Sequence, residues 1–130
     1  VTMVEKDPKN AEILRENCWI LGIDLGEQYR ILEADVFASI KKLAQKDQTF
    51  DIVFFDPPFD RNLAKKTLKC LGVNDILHAH SFLVAQHDPA ECVDVPEHMK
   101  VVSERRYGAS QLTIWNINGT RQNRDISGQF

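Results

Sequence analysis

Three carboxylates and one stiff turn carry most of the chemical information in this chain. Asp56 is followed directly by Pro57, Pro58 and Phe59, while Glu5 and Asp35 each stand just past a short apolar run. Proline lacks an N–H and fixes φ, so Pro57 and Pro58 stop a β-ladder and hold the backbone after Asp56 extended and rigid. The outcome is a set of hydrogen-bond acceptors in a fixed place beside a flat aromatic surface. An acid at a strand end after a tight turn is placed to accept from ribose hydroxyls, which suits Glu5. Asp35 is placed to accept from an exocyclic amine such as that of adenine. Each acid has a plainer alternative, that of capping the next helix, and the Asp56 turn could simply return Phe59 to the core.

These acids matter only if the fold brings them to one edge. Val1 to Val4 read as a strand, followed by Glu5-Lys6-Asp7-Pro8, where Asp7 can cap a helix with Pro8 in its first turn. From Asn10 to Leu21 the apolar positions Ala11, Leu14, Cys18 and Leu21 recur at helical spacing. Tyr29 to Leu32 read as a second strand, and Val36, Phe37, Ile40 and Leu43 mark a second helix. Ile52 to Phe55, β-branched and aromatic without alternation, read as a buried central strand. A helix is expected near Asn62 to Leu71, a short helical turn over Asp75 to His80, and a strand over Ser81 to Gln86. An irregular loop to His98 comes next. Lys100 to Ser103 and Gln111 to Trp115 form two strands with no helix between them, hence antiparallel. The polar residues 118–130 are expected to be disordered.

The order is thus an alternation of strands and helices closed by a hairpin. It predicts an α/β fold with a mostly parallel sheet, helices on both faces and a C-terminal antiparallel hairpin. The carboxyl ends of parallel strands line one edge, where ligands bind in open α/β sheets, so Glu5, Asp35 and Asp56 should converge there.

With 130 residues and a net charge of −3, the chain is one domain with no global sign of nucleic-acid affinity, so any such contact must be a local patch. Lys41, Lys42 and Lys46 form one basic cluster, Arg61, Lys65, Lys66 and Lys69 a second just after Phe59, and Arg105 with Arg106 a third. The second is best placed to grip phosphates, and the first reads equally well as a solvated helix face. Cys18, Cys70 and Cys92 are widely spaced, which argues against zinc and a disulfide framework and for reduced thiols in the cytoplasm. His78 and His80 read as structural or exposed groups, so no metal site is expected. No apolar run reaches membrane-spanning length. The chain starts at Val1, in mid-strand, and an N-terminal part of a longer protein is expected to be missing.

The segments VEKDPKN, ILRENCWILGI, EADVF, FDIVFFDPPF and RRYGASQLTIW together resemble the RsmD-like methyltransferases over Val1 to about Trp115. That resemblance implies a Rossmann-like fold, S-adenosyl-L-methionine as cofactor, and methylation of guanine N2 in small-subunit ribosomal RNA by a cytoplasmic monomer. It implies a methyltransferase domain over residues 1–117. Carried over by position, Glu5 would bind the cofactor ribose with Lys6 beside it, Asp35 and Val36 the adenine, and Asp56 would border both cofactor and substrate. Asp56 and the Pro57 carbonyl, held by Pro58, would accept from the target amine, and Phe59 would stack on the flipped base. Arg61, Lys65, Arg105, Arg106 and Tyr107 would contact the RNA or the assembled small subunit. Asp-Pro-Pro-Phe is shared with adenine-N6 enzymes acting on DNA or RNA, which leaves that activity as an alternative. The family's first strand and glycine-rich loop precede Val1 and are expected to be missing here, so weak or absent donor binding by these residues alone is expected, and an inert RNA-binding fragment is a third possibility.

The physical chemistry suits the implied roles. An exocyclic amine is a poor nucleophile because its lone pair is delocalised into the ring. Two fixed acceptors bias it toward tetrahedral geometry and aim the lone pair, a gain from positioning. A base must also leave its stack, and an aromatic platform offsets part of that cost.

Overall fold

The computed structural model describes residues 1–58, 62–91 and 95–117. Phe59, Arg61, Cys92 and the segment 118–130 lie outside the described residues. The chain forms two compact units, Val1–Lys42 and a second beginning at Leu43, so the division falls inside a helix.

In the first unit, β1 (Thr2–Val4) pairs in parallel with β2 (Arg30–Leu32), with Val4 opposite Leu32. Between them runs α1 (Pro8–Ile20), started as expected by Asp7, whose Oδ1 accepts from the Lys9 N–H at 2.9 Å, with Pro8 at the first position. The helix ends in a Schellman arrangement. Gly22 takes φ +70°, its N–H donates to Trp19 O, and the Ile23 N–H donates to Cys18 O. Ala11, Cys18 and Tyr29 are buried. The helix α2 (Val36–Gln45) crosses from the first unit into the second.

The second unit contains β3 (Phe50–Phe55), α3 (Leu63–Val73), β4 (Leu77–His87), β5 (Met99–Tyr107) and β6 (Ser110–Ile117). They form a four-stranded sheet in the order β3-β4-β6-β5, with β3 parallel to β4 and the other two pairings antiparallel. The predicted hairpin is therefore present and longer than expected. Its strands run through Arg105 and Arg106 to a two-residue turn at Gly108-Ala109, where Gly108 at φ +58° meets the demand of a II′-type turn for glycine at its first position.

Two expectations need correction. Asp75 to His80 is not a helical turn, because β4 starts at Leu77, which pairs with Phe50. The His78 N–H donates to Ser81 Oγ at 2.9 Å, and that hydroxyl donates to Phe50 O at 2.6 Å. A buried side chain thus takes the bond a helical carbonyl would have taken. Nor is Ile52 to Phe55 a buried central strand. Among the described residues β3 is an edge, and Ile52 and Phe54 are 65% and 60% exposed. Side chains alternate across a strand, so only Val53 and Phe55 point to the covered side.

That covered side holds the core. Leu83, Ala85, Thr113 and Trp115 are buried on it, and Phe55 stacks on Trp115 with ring centroids 6.5 Å apart and planes at 7°. Leu68 and Leu71 of α3 are fully buried. Gly72 on the same helix has Pro96 so close that a Cβ would sit 2.8 Å from its ring, which explains a glycine where alanine would favour the helix by about 1 kcal/mol. No helix among the described residues is long and apolar enough to cross a membrane.

Candidate functional site

The carboxyl ends of β1 and β2 lie side by side, and they bring two of the predicted acids together. The Glu5 N–H donates to Leu32 O at 3.0 Å and the Ala34 N–H to Glu5 O at 3.1 Å, so the pairing continues just past both strands. Glu5 Oε1 accepts from the Asp7 N–H at 3.1 Å. Asp35 Oδ2 accepts from the Ala38 N–H at 3.0 Å, and its carbonyl accepts from both the N–H and the hydroxyl of Ser39. Asp35 therefore does cap α2, but each acid uses a single oxygen in this way. The second oxygen of each has no protein donor among the described residues and is placed for a hydroxyl or amine. Val36 is half-buried at the start of α2, and Lys6 is exposed.

Asp56 belongs to the second unit, at the carboxyl end of β3, next to the half-buried Pro57 and exposed Pro58. Its carboxylate is exposed and has no hydrogen-bond or ionic partner among the described residues. An acid that neither caps α3 nor pairs with a cation among the described residues is available for an outside donor. The N-terminus of α3 is served instead by Glu91, whose Oε1 accepts from the Lys65 N–H at 3.1 Å, while Asn62, at φ +51°, gives no side-chain cap. Phe59 and Arg61, the predicted platform and phosphate contact, lie outside the described residues.

The basic residues divide by register. Lys65, Lys66 and Lys69 are exposed along α3. Arg105 stands opposite Leu112 and Arg106 opposite Gln111, so adjacent arginines point to opposite faces of the hairpin and do not form one cluster as expected. Tyr107, near its tip, is exposed. His78 is structural, as expected: its Nε2 lies 2.7 Å from Asp51 Oδ1, and its Nδ1 accepts from the His80 N–H. Among the described residues no group of His, Cys, Asp and Glu is arranged to hold a metal ion, and Cys18 is a buried thiol outside any disulfide.

Sequence reasoning missed one set of residues. Polar and aromatic side chains of β4, β5, β6 and the loop after β4, among them His87, Glu91, Glu104, Gln111 and Trp115, line a cavity of about 200 Å³. The signal was the alternation Gln111, Thr113, Trp115 along β6, which places all three on one face.

Known proteins place these features in a family. The chain is 28% identical over 115 residues to "Ribosomal RNA small subunit methyltransferase D" of Haemophilus influenzae, covering 88% of this chain and 58% of that protein. It thus spans about three-fifths of the length of this curated relative. A solved structure described as a methylase, also from Haemophilus influenzae, superposes with a TM-score of 0.80 at 25% identity, covering 91% of this chain and 72% of that one. A methyltransferase solved with SAH shares the fold, with a TM-score of 0.67 at 14% identity over 89% of this chain and 38% of that one. The α/β, Rossmann-like class expected from the sequence is borne out. Residues 1–116 match the family described as "Conserved hypothetical protein 95", and the chain belongs to that family, that of the RsmD-like methyltransferases its motifs resemble.

Proposed function

We propose that this chain supplies the substrate-facing part of an S-adenosylmethionine-dependent methyltransferase acting on the exocyclic N2 amine of a guanine in small-subunit ribosomal RNA. The observation that carries the reading is the exposed carboxylate of Asp56 at a strand end, followed by Pro57 and Pro58 and without a partner among the described residues. The name of the Haemophilus influenzae relative supports ribosomal RNA as the substrate class.

The residues present suit the adenosine part of the cofactor, because Glu5 and Asp35 sit on adjacent strand ends with one acceptor oxygen each still open. When bound, the cofactor supplies an electrophilic methyl group on a sulfonium. Glu5 would accept from ribose hydroxyls, and Asp35 with Val36 would hold the adenine, with Lys6 alongside. Asp56 and the Pro57 carbonyl would each accept one N–H of the target amine, turning its lone pair out of conjugation and toward the methyl group. Phe59 would hold the extruded base by stacking. Arg61, Lys65 and the hairpin residues Arg105, Arg106 and Tyr107 would contact the RNA, the cations by neutralising phosphates.

Methylation assays with naked ribosomal RNA, assembled small subunits and duplex DNA, followed by nucleoside analysis, test the assignment. N2-methylguanosine in the small-subunit RNA is the expected product; N6-methyladenosine would replace this reading with its adenine counterpart. Asp56→Ala should lower kcat on the order of a hundredfold or more while leaving the donor dissociation constant within about threefold. Unchanged turnover would remove Asp56 from the mechanism.

A further inference from the structure

The helix α1 has two apolar sides, and the chain's own core covers only one of them. Ala11 and Cys18 are buried, whereas Trp19 is 82% and Ile20 74% exposed. Glu12, Arg15, Glu16, Trp19 and Ile20 recur at helical spacing, so they form one stripe along the uncovered side. That stripe and the loop carrying Ile23, Asp24 and Leu25 line a groove of about 710 Å³, with the buried Tyr29 also in its lining. The groove lies wholly within the first unit.

Its loop wall is preformed. Asp24 O accepts from the N–H groups of Gln28 and Tyr29 at 2.9 and 3.3 Å, and the Asp24 N–H donates to Gln28 Oε1 at 2.8 Å. The Gly26 N–H donates to Tyr29 O at 2.7 Å. A wall already held in this way loses little freedom when something binds. Leu25 is nevertheless 68% exposed. Neighbouring large apolar side chains left in water and rimmed by polar ones mark an interaction site, and tryptophan is enriched among the anchors of such sites. A small ligand would leave most of Trp19, Ile20 and Leu25 wet, so the occupant must be extended.

Charge decides its chemistry. Arg15 is the cation in the lining, and Glu12 and Glu33 already engage it, each at 3.3 Å. The carboxylates of Glu16 and Asp24 have no partner among the described residues, so the apolar strip is edged by uncompensated negative charge. That field repels phosphate, whether of RNA or of an anionic membrane, and attracts lysine and arginine. We propose that this groove docks an amphipathic, basic segment of another protein. Its apolar side chains pack on Trp19, Ile20 and Leu25, and its lysines or arginines meet Glu16 and Asp24. The groove uses none of the residues assigned to methyl transfer or to RNA.

Two fluorescein-labelled peptides titrated with the full chain test it, one of leucine and lysine at helical spacing, the other with glutamate for every lysine. Anisotropy should show saturable binding of the lysine peptide, on the order of tenfold or more tighter than the glutamate peptide. Trp19→Ala, at an exposed position, should weaken it by a similar factor. Glu16→Lys combined with Asp24→Lys should reverse the preference, which apolar stickiness alone does not do. Unlabelled lysine peptide should also protect Trp19 emission from quenching by acrylamide. Equal affinity for the two peptides, or no effect of Trp19→Ala, would overturn the proposal. So would Trp19 emission already shielded in the free chain with sedimentation showing a dimer, because a second copy would then fill the groove. Shielding by phosphatidylglycerol vesicles or by single-stranded RNA, with none by the lysine peptide, would give the face to lipid or RNA and overturn it equally. None of these readouts involves the methyl donor or Asp56, so either result leaves the proposed function to its own test.

Discussion

The two faces of the four-stranded sheet are made of equally apolar side chains and have opposite fates. On one face Val53, Leu83 and Trp115 stand in one row and Phe55, Ala85 and Thr113 in the next, with Leu83, Ala85, Thr113 and Trp115 buried. On the other, Ile52 and Phe82 stand side by side with Asn116, and Phe54 beside Val84 and Ile114. Ile52 and Phe54 are mostly exposed and Phe82 is 46% exposed, while Asn116 Oδ1 is buried without a partner among the described residues. Fully burying a side chain of this size is worth about 1.5–3 kcal/mol. The exposed face therefore gives up several such contributions that the covered face collects. Apolar composition says that a strand can be buried, and the layer beside it decides whether it is.

The largest test of that contrast is Trp115→Ala. Removing a fully buried indole that stacks on Phe55 should cost about 3–5 kcal/mol in urea or thermal unfolding. A loss under 1 kcal/mol would mean that the covered face is loosely packed. Gly72→Ala should come next, at about 1–3 kcal/mol, because the new methyl meets the ring of Pro96, which has little freedom to move aside. If it stabilised the chain instead, as helix propensity alone favours, the loop carrying Pro96 would not be held against α3. Phe54→Thr should be smallest, within about 0.5 kcal/mol, and should improve solubility by removing an apolar edge residue. A cost near that of Trp115→Ala would show that something covers the second face in solution.

Much of the fold was legible because its signals are local. Asp7 before Pro8, helical spacing through Cys18 and the stop at Pro57-Pro58 each act within a few residues, and they gave the order of elements and the position of Asp56. The start of β4 was not legible, because it depends on Ser81 reaching back to the carbonyl of Phe50, 31 residues away. The exposure of Ile52 and Phe54 was hidden for the same reason, since it is a property of neighbours. Of the site, the acids at strand ends could be read, while the Trp115 cavity could not. Its walls come from three strands and a loop, and it is visible only once they are assembled.

The hairpin carries one further lesson. Val101 pairs with Trp115 and Ser103 with Ile114, so Val102 is an extra residue absorbed by a bulge. Counting by twos from Val101 would assign Ser103 and Arg105 to the Trp115 side. The bulge reverses the parity, so Glu104, opposite Thr113, and Arg106, opposite Gln111, occupy that side instead. The bulge thus leaves Val102 without a partner and keeps Glu104 in register with Thr113, on the cavity side. Losing Val102 would straighten the ladder with each charge still on its present side, whereas one more residue after Ser103 would carry Glu104 to the opposite side.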